Sequence, residues 1–269
     1  MAINYDKLMS AKFPEKEFQY TERDTMLYAL GVGMGRDPMD RSELPFVFEM
    51  KGLKVMPTQA TVIAWDDSFV FNSGVNAVMV VHGEQRVTLH RPLPAAAHVV
   101  SHFRVTDIFD KGAGRGAVIL TETAIRDKAT GEPLCTNHST VFARGDGGFG
   151  GPNGSGAPPH EIPSRQPDLV SDVRMSPDAA FVYALSGDRN PLHRDPDVAA
   201  AAGFPRAIIQ GLCTYGHACR AVVKDACDYA PERIADFGAR FTAPAYPGET
   251  LRTEIWQDGN IVSFRCRSI

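Results

Sequence analysis

Residues Tyr183–Gln210 read YALSGDRNPLHRDPDVAAAAGFPRAIIQ, and this stretch decides how the rest of the chain is interpreted. Gly187 permits a tight turn, and Asn190 followed by Pro191 favours extended or turn geometry just before His193. The pattern therefore predicts a rigid loop between two helices.

This loop carries a carboxylate and an imidazole five residues apart, Asp188 and His193. A new helix is predicted directly after it, with Asp195 as N-cap and Pro196 at the first helical position. Two such groups can contact one water molecule, one removing a proton from it and the other donating a proton to carbon. On spacing alone, Asp188 could instead form only an Asx turn, and His193 could be a satisfied polar residue at a helix entry.

The first half of the chain contains a second copy of the same arrangement. One helix is predicted from Thr21, with Asp24 completing a capping box. The matching helix is predicted from Ser176 as N-cap, with Pro177 at the first helical position. Both predicted helices contain Tyr-Ala-Leu and are followed by a glycine-containing turn. We therefore expect a duplicated fold.

Beyond these helices, Gly35–Asp40 (GRDPMD) aligns with Asp188–His193 (DRNPLH). The first copy keeps the arginine and the proline, but it has glycine in place of Asp188 and aspartate in place of His193. A pair that served only the turn would be expected in both copies. The difference therefore favours a duplicated fold in which one active site survives.

Both halves contain runs rich in Val, Thr, Phe and Ile, separated by turn residues, which is typical of antiparallel strands. In the first half these runs are Val75–Leu89, Ala97–Ile108, Gly116–Arg126 and Cys135–Arg144; in the second they are Phe237–Thr242, Thr250–Gln257 and Ile261–Arg267. An apolar helix is predicted over roughly Leu212–Val223, and Asp258 with Gly259 predicts a hairpin turn. Helices together with antiparallel strands indicate the α+β class.

The division into domains follows from composition. Residues 145–168 read GDGGFGGPNGSGAPPHEIPSRQPD, and such a stretch cannot bury enough apolar surface to offset its backbone entropy. We therefore predict a first repeat over 1–144, a linker over 145–168 and a second repeat over 169–269. The second repeat ends after its third predicted strand, whereas the first continues to a fourth.

Composition and charge exclude several classes of protein. A net charge of −4 argues against a nucleic-acid binder, which needs a cationic face. No apolar run of membrane-spanning length and no signal peptide are present, so we expect no membrane partner and a cytoplasmic location. The C-terminal Cys-Arg-Ser-Ile differs from the Ser-Lys-Leu peroxisomal signal expected of a peroxisomal eukaryotic protein. Five cysteines without CxxC spacing indicate reduced thiols, and the histidines show no zinc-ligand spacing.

The motif Leu185–His193, followed by Ala202–Phe204 and Gly211–Thr214, strongly resembles MaoC-type hydratases. The greatest similarity is to the two-repeat (R)-specific 2-enoyl-CoA hydratases called hydratase 2, which occur alone or within peroxisomal multifunctional enzymes. The resemblance covers nearly the whole chain. It implies a double hot-dog fold, in which an antiparallel sheet wraps around a central helix in each repeat, with the active site in the second repeat.

The resemblance also implies a mechanism. Asp188 and His193 would hold the catalytic water, Asn190 would support the site, and the backbone N–H of Gly211 would bind the thioester carbonyl. Hydration of a trans-2-enoyl-CoA would give a (3R)-3-hydroxyacyl-CoA, with no metal and no cofactor besides the coenzyme A of the substrate. A preorganised donor at a helix N-terminus suits the negative charge that develops on that oxygen. The chain departs from many members by having Gln210, where they have histidine.

By the same resemblance, six residues fall where the family contacts substrate or coenzyme A, namely Glu49, His82, Gly83, Lys111, Arg189 and Phe241. Two alternatives to a hydratase stay open, an acyl-CoA thioesterase of hot-dog fold and a non-catalytic acyl-CoA-binding protein. A homodimer is possible with each of these three functions.

Overall fold

The computed structural model describes residues 3–66, 68–76 and 79–269. Within these ranges the chain forms seven α-helices, α1 Tyr5–Met9, α2 Glu22–Gly31, α3 Leu44–Val47, α4 Ser68–Asn72, α5 Ala179–Ala184, α6 Pro196–Ala201 and α7 Gly211–Asp225. The same ranges contain nine strands, β1 Lys16–Tyr20, β2 Val80–Leu89, β3 Ala97–Asp110, β4 Ala117–Asp127, β5 Pro133–Ala143, β6 Leu169–Arg174, β7 Asp236–Arg240, β8 Thr250–Asp258 and β9 Ile261–Ser268. The predicted α+β class is confirmed.

The strands form two antiparallel sheets. Six strands lie in the order β1-β3-β4-β5-β2-β7, and three lie in the order β6-β8-β9. Strand β7 belongs to the second half of the sequence, but it pairs with β2 of the first half. The halves are therefore joined by backbone hydrogen bonds as well as by side-chain packing.

The long helix of the second half is α7, which packs against β6 and β8. Nearly all of its side chains from Leu212 to Val223 are buried, as its apolar and small residues require. At the corresponding place in the first half, the described residues form two short helical segments, a 3-10 turn over Pro57–Thr61 and the five-residue helix α4. The β-branched residues of this segment lower its helix propensity, and α7 itself packs against the turn. The second repeat therefore has one long central helix, whereas the described residues of the first repeat have two short helical segments at that place.

The structure changes the predicted start of one helix and leaves part of one predicted strand outside the described residues. Helix α5 begins at Ala179 with Asp178 as N-cap, because Pro177 and Asp178 first form a turn, so the prediction of Ser176 as N-cap is wrong. Residues 77 and 78 of the predicted strand Val75–Leu89 lie outside the described residues, and β2 begins after them.

Strand β6 was not predicted from the sequence. It has only six residues, LVSDVR, with polar residues at its centre, so its strand character is weak. It is fixed by pairing with β8 over its whole length, from Leu169 with Ile255 to Arg174 with Thr250. The second half thus has four strands, one of which lies in the first-half sheet.

The segment 145–168 contains no helix or strand, yet it is held against the first half. The carboxylate of Asp110 accepts backbone N–H groups of Gly112, Gly148 and Gly150, each at 2.7 Å. Lys111 donates through Nζ to a linker carbonyl at 2.9 Å. One carboxylate thus binds several amides of this glycine-rich segment and fixes its backbone.

The first-half copy of the loop is bound to the second half. Glu43 accepts the backbone N–H of Gly35 at 2.7 Å and forms a buried ion pair with Arg220 of α7. Asp40, which aligns with His193, accepts a hydrogen bond from the Tyr229 hydroxyl at 3.0 Å. This copy of the loop therefore serves as a contact between the repeats.

No helix in the described part of the chain is both long and apolar enough to cross a lipid bilayer.

We expect Asp110→Asn to lower the Tm at pH 7, because it removes the charge that three backbone amides bind. Those amides, Gly148 first, hold the pKa of Asp110 below its ordinary value of 3.8. The carboxylate therefore stabilises the fold above that value, and this contribution is lost as the pH falls through the lowered pKa. Thermal unfolding between pH 7 and 3 tests this. Asp107→Asn, an exposed carboxylate on the same strand, is the control, and equal Tm losses in both variants would contradict the interpretation.

Candidate active site

The loop after α5 has the rigid geometry that the sequence predicted. Gly187 has a φ of 142°, and a Cβ atom there would lie 2.8 Å from the indole of Trp65, so only glycine fits. Asp188 accepts the backbone N–H of Asn190 at 3.2 Å, and Asn190 accepts that of Leu192 at 3.0 Å. Successive Asx contacts thus fix the backbone between Asp188 and His193.

Asp188 and His193, the predicted pair, face each other across a short gap. His193 Nε2 lies 3.9 Å from Asp188 Oδ2, with side chains only 10% and 15% exposed. The other ring nitrogen, Nδ1, lies 3.0 Å from the carbonyl oxygen of Ile208. Because a carbonyl only accepts hydrogen bonds, Nδ1 must carry the proton, and in the neutral ring Nε2 presents a lone pair toward Asp188.

The surroundings favour that neutral ring. Burial lowers the pKa of His193, the nearby Asp188 carboxylate opposes this effect, and the cationic Arg194 adds to it. Arg194 is placed by the loop itself, since its guanidinium donates to the carbonyl of Arg189 at 2.5 Å. His193 is therefore suited to accept a proton at neutral pH.

The N-terminus of α7 lies beside the pair. Gly211 is its first residue, and the amides of a first helical turn have no partner within the helix. The ring of Phe241 covers this end, 3.6 Å from where a Cβ atom of Gly211 would be. The helix dipole and the N–H groups there favour a developing negative charge.

Strand β2 completes this side of the site. Gly83 lies at a β-bulge and accepts the backbone N–H of Phe241 at 2.9 Å. The rings of His82 and Phe241 meet edge to face, with centroids 5.2 Å apart. Burial lowers the pKa of His82 to about 4, so its ring is neutral at physiological pH. Three predicted substrate contacts therefore cluster beside the N-terminus of α7.

Comparison with known proteins identifies the family of the chain. Residues 18–145 match the model of the MFE-2 hydratase 2 N-terminal domain, and residues 160–268 match the MaoC-like domain. The peroxisomal enoyl-CoA hydratase 2 of Arabidopsis thaliana is 37% identical, over 98% of this chain and 91% of its own length. The chain belongs to the hydratase 2 family of MaoC-like proteins.

Two further relatives extend the comparison. Enoyl-CoA hydratase ChsH3 of Mycobacterium tuberculosis is 42% identical, over 96% of this chain and 91% of its own length. The crystal structure of a MaoC-like dehydratase from Phytophthora capsici has a TM-score of 0.86 and 31% identity, covering 99% of this chain and 92% of that one. A Mycobacterium tuberculosis protein with a double hot-dog fold superimposes with a TM-score of 0.59 at 17% identity, which bears on the fold alone. The double hot-dog fold is confirmed.

The other three predicted substrate contacts of this hydratase 2 family member either lie apart from the cluster of His82, Gly83 and Phe241 or bind another group. Glu49 is exposed on a 3-10 turn, and Arg189 is exposed on the outer side of the loop. Lys111 binds the carbonyl of Gly154. Their roles toward substrate stay predictions, as do those of the other predicted site residues.

The structure adds Gln210 to the site. This side chain is fully buried, and its amide nitrogen donates to the carbonyl of Ala180 at 3.0 Å, with that of Asp188 at 3.5 Å. It therefore links α5, the loop and the start of α7. Its position directly before Gly211 was the only sequence signal for this role.

A cavity of about 200 Å³ adjoins the loop and reaches Ser186, two residues before Asp188. Its wall includes Trp65, Ile63 and Leu27, so the first half supplies most of its apolar surface. Trp65 was not singled out in the sequence, because its contact with Gly187 joins positions far apart in the chain. Among the described residues, no group of three His, Cys, Asp or Glu side chains is placed to hold a metal ion.

We expect Gly187→Ala to impair the site without unfolding the protein. The new methyl group would press on Trp65 and strain a backbone that alanine rarely adopts, which shifts Asp188. A displacement of that kind costs about a hundredfold in kcat. The control is Gly131→Ala, where φ is 73° and no atom lies within 4 Å of the added carbon. Equal kcat values in both variants, measured with an enoyl-CoA, would disprove the positioning role of Gly187.

Proposed function

We propose that this chain reversibly hydrates trans-2-enoyl-CoA to (3R)-3-hydroxyacyl-CoA in fatty-acid or related acyl-CoA metabolism. The observation that carries the proposal is the approach of His193 Nε2 to Asp188 Oδ2 at 3.9 Å beside the start of α7. The gap is too long for a direct hydrogen bond and suits one water that contacts both groups. The relatives named enoyl-CoA hydratase support the reaction, and the (3R) product follows from the resemblance to hydratase 2.

The reaction begins when water attacks C3 of the enoyl thioester. His193 Nε2, which carries a lone pair, removes a proton from that water as its oxygen bonds to carbon. Asp188 orients the water and stabilises the imidazolium that forms. The double-bond electrons move toward the thioester oxygen, giving an enolate. A proton returned from the pair to C2 completes the addition, so both side chains regain their starting protonation states.

The enolate oxygen needs stabilisation during this step. The backbone N–H of Gly211 at the start of α7 supplies a fixed donor, and the helix dipole adds to its effect. One such donor contributes about 3 kcal/mol of transition-state stabilisation. Gln210, directly before Gly211, contacts Asp188, and Ile208, three residues before Gly211, contacts His193. The donor and the proton-transferring pair are therefore held by one short segment.

The partner of the chain in this proposal is an acyl-CoA thioester, with coenzyme A acting only as part of the substrate. The Arabidopsis relative is named peroxisomal, whereas a cytoplasmic location of this chain stays a prediction. A homodimer and the absence of a resident cofactor also stay predictions.

We expect Asp188→Asn and His193→Ala each to lower kcat/KM for crotonyl-CoA by at least about a hundredfold, since the first removes the charge that stabilises the imidazolium and the second removes the proton acceptor. The loss of enoyl absorbance measures the rate, and chiral analysis identifies the product. A hydratase releases no free thiol, whereas a thioesterase does. Wild-type rates in both variants, or thiol release by the wild type, would exclude the proposal.

The pH dependence should follow the lowered pKa of His193. The neutral ring is the proton acceptor, so kcat/KM is expected to stay level as the pH falls from 8 to the ordinary histidine value of 6.5. It then declines at lower pH, when the ring becomes protonated. A decline that begins above pH 6.5 in kcat/KM would contradict the assigned role.

A further inference from the structure

The two repeats are related by a local two-fold axis through the β2–β7 pair. An antiparallel pair has such an axis at its midpoint, which here lies at Arg86 opposite Gly238. Phe241 donates to the carbonyl of Gly83 at 2.9 Å at one end of the pair, and Leu89 donates to that of Ala235 at 2.7 Å at the other. The hydrogen bonds at the two ends are thus equivalent.

A second pair of residues supports the same axis. Tyr28 of α2 and Tyr183 of α5 occupy matching positions in the two copies, and their rings contact each other with centroids 5.9 Å apart. Contact between equivalent residues is what a two-fold arrangement requires at its axis. The duplicated sequence therefore folds as a two-fold unit.

The rotation carries the active site to the opposite end of β2. This rotation superimposes Phe241 on Leu89, Gly83 on Ala235 and His82 on Ile234. The 3-10 turn that begins at Pro57 occupies the place of α7, which begins at Gly211, so Val55 and Pro57 correspond to the segment at the start of α7. A cavity of about 530 Å³ lies at this opposite end, and it is lined by Leu89, Ala235, Ile234, Pro57 and Val55.

This second cavity has lost the means of hydration. Gly35 takes the place of Asp188, with a φ of 74° and a side chain of Val47 only 2.8 Å from an added Cβ atom, so a carboxylate does not fit. Asp40 takes the place of His193 and is bound by Tyr229. A ligand in this cavity would therefore be bound without reaction.

The cavity keeps the features of a binding site. Its volume lies within the usual range for small-molecule sites, and its wall is largely apolar. Two cationic side chains, Lys54 and Arg91, also line it, together with the carboxylate of Glu232, and Lys54 donates to the carbonyl of Tyr229 at 2.7 Å. Arg91 is held at the rim by an ion pair with Glu132, a surface interaction of little strength that a bound phosphate can replace.

We propose that this cavity is a second, non-catalytic site that binds an acyl-CoA thioester. Its apolar wall would hold the acyl and pantetheine parts, and its cationic rim, above all Arg91, would bind the phosphates. The choice of ligand rests on the proposed function, since the cavity is the two-fold image of the site to which that function assigns an acyl-CoA.

Calorimetric titration with butyryl-CoA tests the proposal, because this saturated thioester cannot be hydrated. The wild type should bind two molecules per chain. Arg91→Glu should weaken one of the two sites by about tenfold or more, the effect of losing one charge-assisted hydrogen bond. Ala235→Trp, which fills the cavity from an exposed position, should remove that site altogether. Both variants should hydrate crotonyl-CoA at the wild-type kcat/KM.

The matched control is Arg126→Glu, which breaks a similar surface ion pair with Glu15 away from the cavity and should keep two sites. One site per chain in the wild type, with hydration intact, overturns this proposal and leaves the proposed function standing. Two sites in both Arg91→Glu and Ala235→Trp, with affinities unchanged, also overturn it. If the wild type neither hydrates crotonyl-CoA nor binds butyryl-CoA, both proposals are wrong.

Discussion

The backbone pairing of β2 with β7 is the interaction on which the rest of the structure depends. It joins strands from the two halves in one sheet, and it places Gly83 and Phe241 beside the N-terminus of α7. Neither half could form this arrangement alone. The loop with Asp188 comes from the second half, whereas His82 and Trp65 come from the first. The active site is thus a property of the joined repeats.

Within this frame, one segment before α7 positions the candidate catalytic side chains. The carbonyl of Ile208 fixes the tautomer of His193, and Gln210 ties the start of the helix to α5 and to Asp188. Burial then keeps the imidazole neutral, despite the carboxylate that faces it. The same short stretch therefore sets the orientation and the protonation state of the imidazole and the position of the nearby amide donor.

The sequence alone was sufficient to predict the class, the repeat, the loop and the position of α7, because these depend on local signals such as capping residues and glycine turns. It failed where distant residues decide the outcome. The six-residue strand β6 is fixed by β8, and the glycine-rich segment is held by Asp110. Trp65 contacts Gly187 across more than a hundred residues of chain. No local pattern encodes such contacts.

The buried ion pair of Glu43 with Arg220 has a consequence for both repeats. Each repeat supplies one charge, and a buried charge without its partner is strongly unfavourable. A change at either position would have to be matched by a change in the other copy. Separating the repeats would leave each with an uncompensated buried charge, so this pair couples the stability of one repeat to that of the other.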